Sequence, residues 1–236
     1  MAILKFVLEA NIGAGKSSFI STIKAQKEKI ISEIYEKTKI PIKIYCENEP
    51  TQEWEPYLSD YYDTYSNEDF LRLQLIIYSS LFKREKLLSE RIKNSKNKNE
   101  VAICFLERDM DSGENFFFTH DLPSKDAEIL KEFSQILRSN SWIHRHPKTY
   151  IFIESDPVSC LTRIHTRQNS FDSQIKLPFL LSLNERYQKF FASTPHFPLS
   201  SDENTNIHEN PSFIQQFILP IILGGLRSQN YGQQYS

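Results

Sequence analysis

The stretch LEANIGAGKSSF, residues 8–19, constrains the fold of this chain more than any other. It follows the apolar run 3–8, which reads as a buried strand, and precedes an amphipathic segment, so the order is strand, tight loop, helix. Residues 10–17 fit the phosphate-binding loop pattern, with Ala10 where glycine is commonest. The chain holds only six glycines, yet Gly13 and Gly15 both fall in this loop. Glycines let successive backbone N–H groups curl round an anion, and the helix that follows adds the positive end of its dipole. The loop Asn11, Ile12, Gly13, Ala14, Gly15, Lys16, Ser17 and Ser18 is therefore expected to cradle a nucleoside triphosphate. Lys16 should reach the β- and γ-phosphates, and the Ser17 hydroxyl should ligate Mg²⁺.

Further apolar runs at 42–46, 101–106, 149–153 and, more weakly, 206–208 alternate with longer stretches of helical period. That alternation predicts an α/β fold with a parallel sheet covered by helices on both faces. Helices are expected over 16–37, 67–92, 109–118, 124–139, 156–167, 177–192 and 211–222. The segment 67–92 is apolar round much of its circumference from Phe70 to Phe82, so it should be buried against the sheet or a partner subunit. With no repeat and no linker, residues 1–226 are expected to form a single domain, and the polar stretch 227–236 a disordered tail.

Composition removes several function classes. A formal net charge of −2 gives no general attraction to nucleic acid, and the basic stretch 83–98 reads as a solvated helix end and loop. No run is long and apolar enough to span a membrane. Cys46, Cys104 and Cys160 are single and far apart, each in or beside an apolar segment, and read as small buried hydrophobes in a reducing compartment. The opening apolar run ends at Glu9 with no small-residue cleavage site, so a cytoplasmic location is expected. His144 and His146, in HRHP, read as solvated loop residues.

In a parallel sheet, ligands sit beyond the carboxyl ends of the strands. Glu49, just after the run 42–46, would then face the same crevice as Lys16, where a carboxylate can accept the proton of an attacking hydroxyl. The run 101–106 ends in Glu107-Arg108-Asp109. Glu107 is placed to hold Mg²⁺ directly or through water, and Arg108 to neutralise charge near a transferred phosphoryl group.

Five ordered motifs, ANIGAGKSS, ENEPTQEW, the LQ of the apolar helix, ERDMDSGENFF and LTRIHTRQNSFD, resemble those of the deoxynucleoside kinase family, from near residue 1 to about residue 190. The resemblance implies a P-loop three-layer α/β/α fold with a five-stranded parallel sheet and a short arginine-containing lid. It implies ATP as donor, Mg²⁺, a deoxynucleoside as small-molecule acceptor in nucleotide salvage, and a homodimer built through helices. Matched position by position, Glu49 becomes the base for the nucleoside 5′-hydroxyl and Arg108 the arginine beside it. Trp54 and Phe117 match aromatics around the base, Gln74 the amide that reads it, and Tyr62 and Asp172 the groups holding the sugar 3′-hydroxyl. Arg163 and Arg167 match lid arginines; at spacing four they share a helix face and can point together at the donor.

Gln74 lies in an apolar helical stretch where an unpaired amide is costly. A primary amide can flip to pair with thymine or cytosine. Positions that in relatives favouring deoxycytidine or purines carry an arginine and an acid match Leu81 and Gly113 here, and an apolar pair leaves room for a 5-methyl group, so thymidine is expected as a substrate. The chain departs from the family pattern at Asn169, Phe171, Asp172 and Asp109. Two other readings stand beside the nucleoside kinase: a monophosphate kinase on the same scaffold, which Glu49 would hinder by repelling an acceptor phosphate, and a non-catalytic relative, which would have little need for Lys16, Ser17, Glu49 and Arg108 together.

Overall fold

A computed structural model describes residues 2–97, 99–117, 122–167, 174–200 and 212–228. Strand β1 (Ile3–Ala10) is buried along its whole length, as a strand covered on both faces must be. It lies at the centre of a five-stranded sheet of order β2-β3-β1-β4-β5. The others are β2 (Ile42–Glu47), β3 (Val101–Glu107), β4 (Lys148–Glu154) and β5 (His196–Ser200), and every pairing is parallel. The register sets Leu8 opposite Glu107 and Leu106 opposite Glu47, so the carboxyl ends of β1, β2 and β3 finish level with one another. The fold class is thus the expected one.

The helices are α1 (Lys16–Ala25), α2 (Lys27–Thr38), α3 (Glu55–Thr64), α4 (Asn67–Lys93), the short α5 (Met110–Ser112) continued by a π-turn over Gly113–Phe117, α6 (Ser124–Asn140), α7 (Pro157–Thr166), α8 (Leu177–Phe191) and α9 (Leu219–Ser228), entered through a π-turn over Ile214–Ile218. Capping explains several starts. The Ser66 side chain accepts from the Asp69 N–H at the head of α4, and Asp156 caps α7 just before Pro157.

Three expectations change. The helix expected over 16–37 is two helices, broken at Gln26. A straight helix there would run about 33 Å at 1.5 Å per residue, past the roughly 26 Å that the eight residues of β1 span. The break lets Phe19, Ile20 and Ile23 on one side of it, and Ile30 and Ile34 on the other, join the same core. The fifth strand is His196–Ser200, which its Pro198 disguised; an edge strand tolerates proline because one row of its backbone groups has no ladder partner. The run 206–208 lies outside the described residues. Helix α3, which begins with Pro56 in its first turn, was not anticipated.

Of the segment expected to be a tail, Arg227 and Ser228 close α9, and 229–236 lie outside the described residues. Cys104 and Cys160 are buried as expected, whereas Cys46 is partly exposed because β2 is an edge strand; all three are free thiols. Among the described residues no helix is long and apolar enough to cross a membrane.

Candidate active site

The loop after β1 takes its shape from two left-handed glycines, Gly13 at φ +82° and Gly15 at φ +96°. At Gly13 a side chain is also excluded by space, since a Cβ would lie 2.5 Å from the Cys160 carbonyl oxygen of α7. The Asn11 side chain ties the loop down: its Nδ2 donates to the Leu180 carbonyl of α8 at 2.8 Å and its Oδ1 accepts from the Ile12 N–H at 2.9 Å. Ala10, the departure from the usual glycine, is fully buried in the core.

A cleft of about 970 Å³ opens above this loop, along the carboxyl edge of the sheet. Ile12, Gly13, Gly15, Lys16, Ser17 and Ser18 line its end at this loop. Asn11 and Ala14 are not in that lining; both are buried beneath it. The Lys16 ammonium donates to the carbonyls of Ala10 and Asn11, at 3.3 and 3.2 Å. Burial, then the neighbouring Arg108 charge, lowers its pKa.

Where β2 and β3 end, the charges converge. The Ser17 hydroxyl donates to Glu107 Oε1 at 2.8 Å, and Glu107 Oε2 accepts from Asn48 Nδ2 at 3.1 Å and from the Glu49 N–H at 3.4 Å. Burial alone would raise the Glu107 carboxyl, but the Lys16 charge and the hydrogen bonds from Ser17 and Asn48 outweigh it and hold it below the ordinary carboxylate value. Arg108 stands in the left-handed region at φ 54°. Its Nη1 donates to both Glu49 oxygens, at 2.9 and 3.0 Å, and its Nη2 to the Ala10 carbonyl at 3.1 Å. The Phe117 ring lies 4.6 Å from the guanidinium carbon.

Trp54, Tyr62, Gln74, Phe117, Arg163 and Arg167 also line the cleft. The Trp54 indole donates to Ser80 Oγ at 2.6 Å, which fixes the ring against α4. Gln74 is only 3% exposed, and its Oε1 has no partner among the described residues. Arg163 Nη1 donates to Ser155 Oγ at 3.0 Å. Asp172, with Asn169 and Phe171, lies outside the described residues.

A loop of the phosphate-binding pattern, a carboxylate–arginine pair and the side chains of Trp54, Gln74 and Phe117 thus share one cleft, and the family model for deoxynucleoside kinase matches residues 6–218. The chain belongs to the deoxynucleoside kinase family. No curated protein matches it at a significant level. As a deoxynucleoside kinase it is a phosphotransferase, and kinases of this family take their phosphate from ATP.

Several residues that shape this kinase's site escaped the sequence reading. Glu9 is fully buried at the end of β1. It accepts from the Ser112 hydroxyl, lies 3.4 Å from Tyr187 Oη and stands 3.8 Å from Arg108 Nε, giving the guanidinium a second acid behind Glu49. Burial outweighs the Arg108 charge and raises its pKa. Arg186, which lines the cleft, donates to the Phe116 carbonyl at 2.9 Å.

Arg84, in the stretch expected to be solvated, is 8% exposed and faces inward. The available signal was its place three residues after Leu81 and four before Leu88, on the buried face of α4. Asp109 departs from the family pattern without facing the cleft: it caps α5 and is paired with Lys148 at 2.8 Å. His144 is also not solvated, since it packs between Asp111 and Glu85.

Proposed function

We propose that this protein phosphorylates the 5′-hydroxyl of a deoxynucleoside from ATP, with thymidine accepted and deoxycytidine or deoxyuridine as secondary acceptors. The observation that carries the reading is the shared cleft, which the Lys16 loop, the Glu49 carboxylate and Gln74, whose Oε1 has no partner among the described residues, line together. Glu49 takes the proton of the 5′-hydroxyl, and Arg108, Lys16 and the lid arginines Arg163 and Arg167 offset charge as the phosphoryl group moves in line. Trp54 and Phe117 enclose the base, while Tyr62 and Asp172 hold the sugar.

Ser17 and Glu107 present a hydroxyl and a carboxylate 2.8 Å apart, the hard oxygen donors Mg²⁺ prefers, and would hold the ion. When bound, Mg²⁺ neutralises phosphate charge.

The thymidine preference rests on the far wall. Leu81 is buried there, and Gly113, where a Cβ would lie 2.9 Å from Tyr78 Oη, carries no acid to meet an exocyclic amino group. Gln74 offers its unpaired oxygen to a ring N–H and, flipped, its amide to a ring nitrogen. Residues 1–226 act as one domain in this reading, and a cytoplasmic setting would keep the three thiols reduced. We also infer a homodimer through α4 and α6. Ile129 and Ile136, seven apart on α6, are 55% and 59% exposed and await a cover.

Initial rates with the four common deoxynucleosides, deoxyuridine and thymidine monophosphate, each with ATP and Mg²⁺, test the reading. Thymidine should give the highest kcat/KM. Preference for deoxyguanosine would defeat the base assignment, and preference for the monophosphate would replace the nucleoside kinase by a nucleotide kinase.

A further inference from the structure

Arg84 reaches the reacting groups from behind. It lines an open groove on the outer side of β2, together with Lys43, Cys46 and Leu87, and is not among the described residues lining the cleft. From there its guanidinium crosses the ends of two strands. Nη1 donates to the carbonyls of Asn48 and Glu107, at 3.2 and 2.8 Å, and Nη2 to the carbonyl of Arg108, at 2.6 Å. These carbonyls lie at or beyond the last rungs of the β2–β3 ladder, where a buried backbone oxygen needs another donor. One planar fork reaches all three from two fixed nitrogens, a spread that the lysine ammonium, with its three N–H donors on one atom, does not have.

The position of these bonds matters more than their number. Asn48 precedes Glu49, and Glu107 precedes Arg108, so Arg84 grips the backbone on both sides of the Glu49–Arg108 pair. Arg108 also stands at φ 54°. A non-glycine residue keeps such a backbone only where its surroundings over-determine it. The 2.6 Å bond to its own carbonyl is the direct constraint, and it comes from the 27-residue helix α4, which also carries Gln74.

We propose that Arg84 is a positioning residue: it locks the ends of β2 and β3 so that Glu49 and Arg108 face the acceptor hydroxyl together, and it links their placement to the helix that reads the base. The role rests on the kinase reading above. It predicts a loss concentrated in the chemical step with a much smaller effect on donor binding, because the Lys16 loop, although its Ser17 meets Glu107, is also held through Asn11 and α8.

The test compares wild-type protein with Arg84→Met and Arg84→Lys by steady-state kinetics and by backbone hydrogen exchange at the Glu49 and Asp109 amides. For Arg84→Met, kcat with thymidine should fall about 100-fold, the cost of a small misplacement of reacting groups, while the KM for MgATP stays within about twofold. Exchange at those two amides should quicken while the β1 amides stay protected. Arg84→Lys, which keeps the charge and one donor nitrogen in place of two, should recover part of kcat; it carries both measurements if Arg84→Met fails to fold. Unchanged exchange, an unchanged kcat, or a loss of kcat matched by a rise in the KM for MgATP and by fast exchange throughout the sheet would each overturn the proposal. If wild-type protein phosphorylates no deoxynucleoside, the kinase reading fails by itself, and the exchange result alone decides whether Arg84 holds these strand ends.

Discussion

Two buried charge clusters meet at the end of β3, and they are built for opposite purposes. Glu107 and Arg108 turn into the cleft, where Glu49, Lys16 and Ser17 join them and Gln74 keeps an unpartnered oxygen. Asp109, the next residue, turns inward. It pairs with Lys148 at 2.8 Å, Lys148 also holds Asp111, and Arg138 Nη1 pairs with Asp111 at 3.1 Å. Burial alone would raise the Asp109 carboxyl, but the Lys148 and Lys5 charges outweigh it and hold it well below the usual carboxylate value. One cluster keeps polar groups facing an open cleft. In the other, Asp109 and Asp111, the acids that open α5, have met their counter-charges inside the fold. A substitution in the first should therefore change turnover, and one in the second should change stability.

The comparison is tested most severely at Glu49. Glu49→Gln should lower kcat by roughly 10²–10⁴-fold, the range for loss of a general base. Thermal unfolding should change less than for a substitution in the inner cluster, because Arg108 keeps the Ala10 carbonyl and the nearby Glu9. An unchanged kcat in a stopped assay would remove Glu49 from that role and with it the contrast between the clusters.

Lys148→Met is the mirror experiment. It leaves Asp109, fully buried, without its nearest cation, and stranding one member of a buried pair costs about 3–5 kcal/mol. Denaturant unfolding should show a loss of that size, and adding Asp109→Asn should restore part of it. Neither residue lines the cleft, so kcat per folded molecule should stay within about threefold of wild type. A fall in kcat comparable to that of Glu49→Gln would mean that the two clusters act as one.

The same contrast explains what was legible in the sequence. The outward cluster sits on short, ordered motifs: the loop glycines with Lys16 and Ser17, Glu49 after one strand, Glu107-Arg108 after another. Each is a residue type at a fixed offset from an apolar run, and parallel strands bring such offsets to one edge. Gln74 was legible as a polar group in an apolar helix. The inward cluster joins residues far apart in the chain, such as Asp109, Lys148 and His144, whose pairing depends on which helix covers which strand. Arg84 and Glu9 were hidden differently: a charge in a basic stretch and an acid at a strand end both read as solvated until the fold buries them. The fifth strand was missed because Pro198 argues locally against a strand that its edge position permits.

The smallest effect concerns the one acid of the inner cluster that is not fully matched. Glu85, on α4, is 1% exposed; its Oε2 accepts from Ser141 at 2.6 Å, and its Oε1 has no partner among the described residues. Burial, then the Asp109 charge, raises its carboxyl to about 7, against the smaller pull of the Ser141 hydrogen bond and of Arg84 and Lys5, with His144 at 4.0 Å. A carboxyl raised by folding contributes stability that is fully present below its unfolded pKa of about 4.5 and is lost as pH rises through about 7. Glu85→Gln mimics the neutral form at every pH. The variant-minus-wild-type stability should therefore rise between pH 4.5 and 8 by about 2–3 kcal/mol, whatever its offset at pH 4.5. The Asp109 contribution, from a lowered carboxyl, is lost only as pH falls below about 4 and lies outside that window. A flat difference in denaturant unfolding from pH 4.5 to 8 would mean that Glu85 ionises as freely inside the fold as in water, and that the inner cluster is as wet as the cleft.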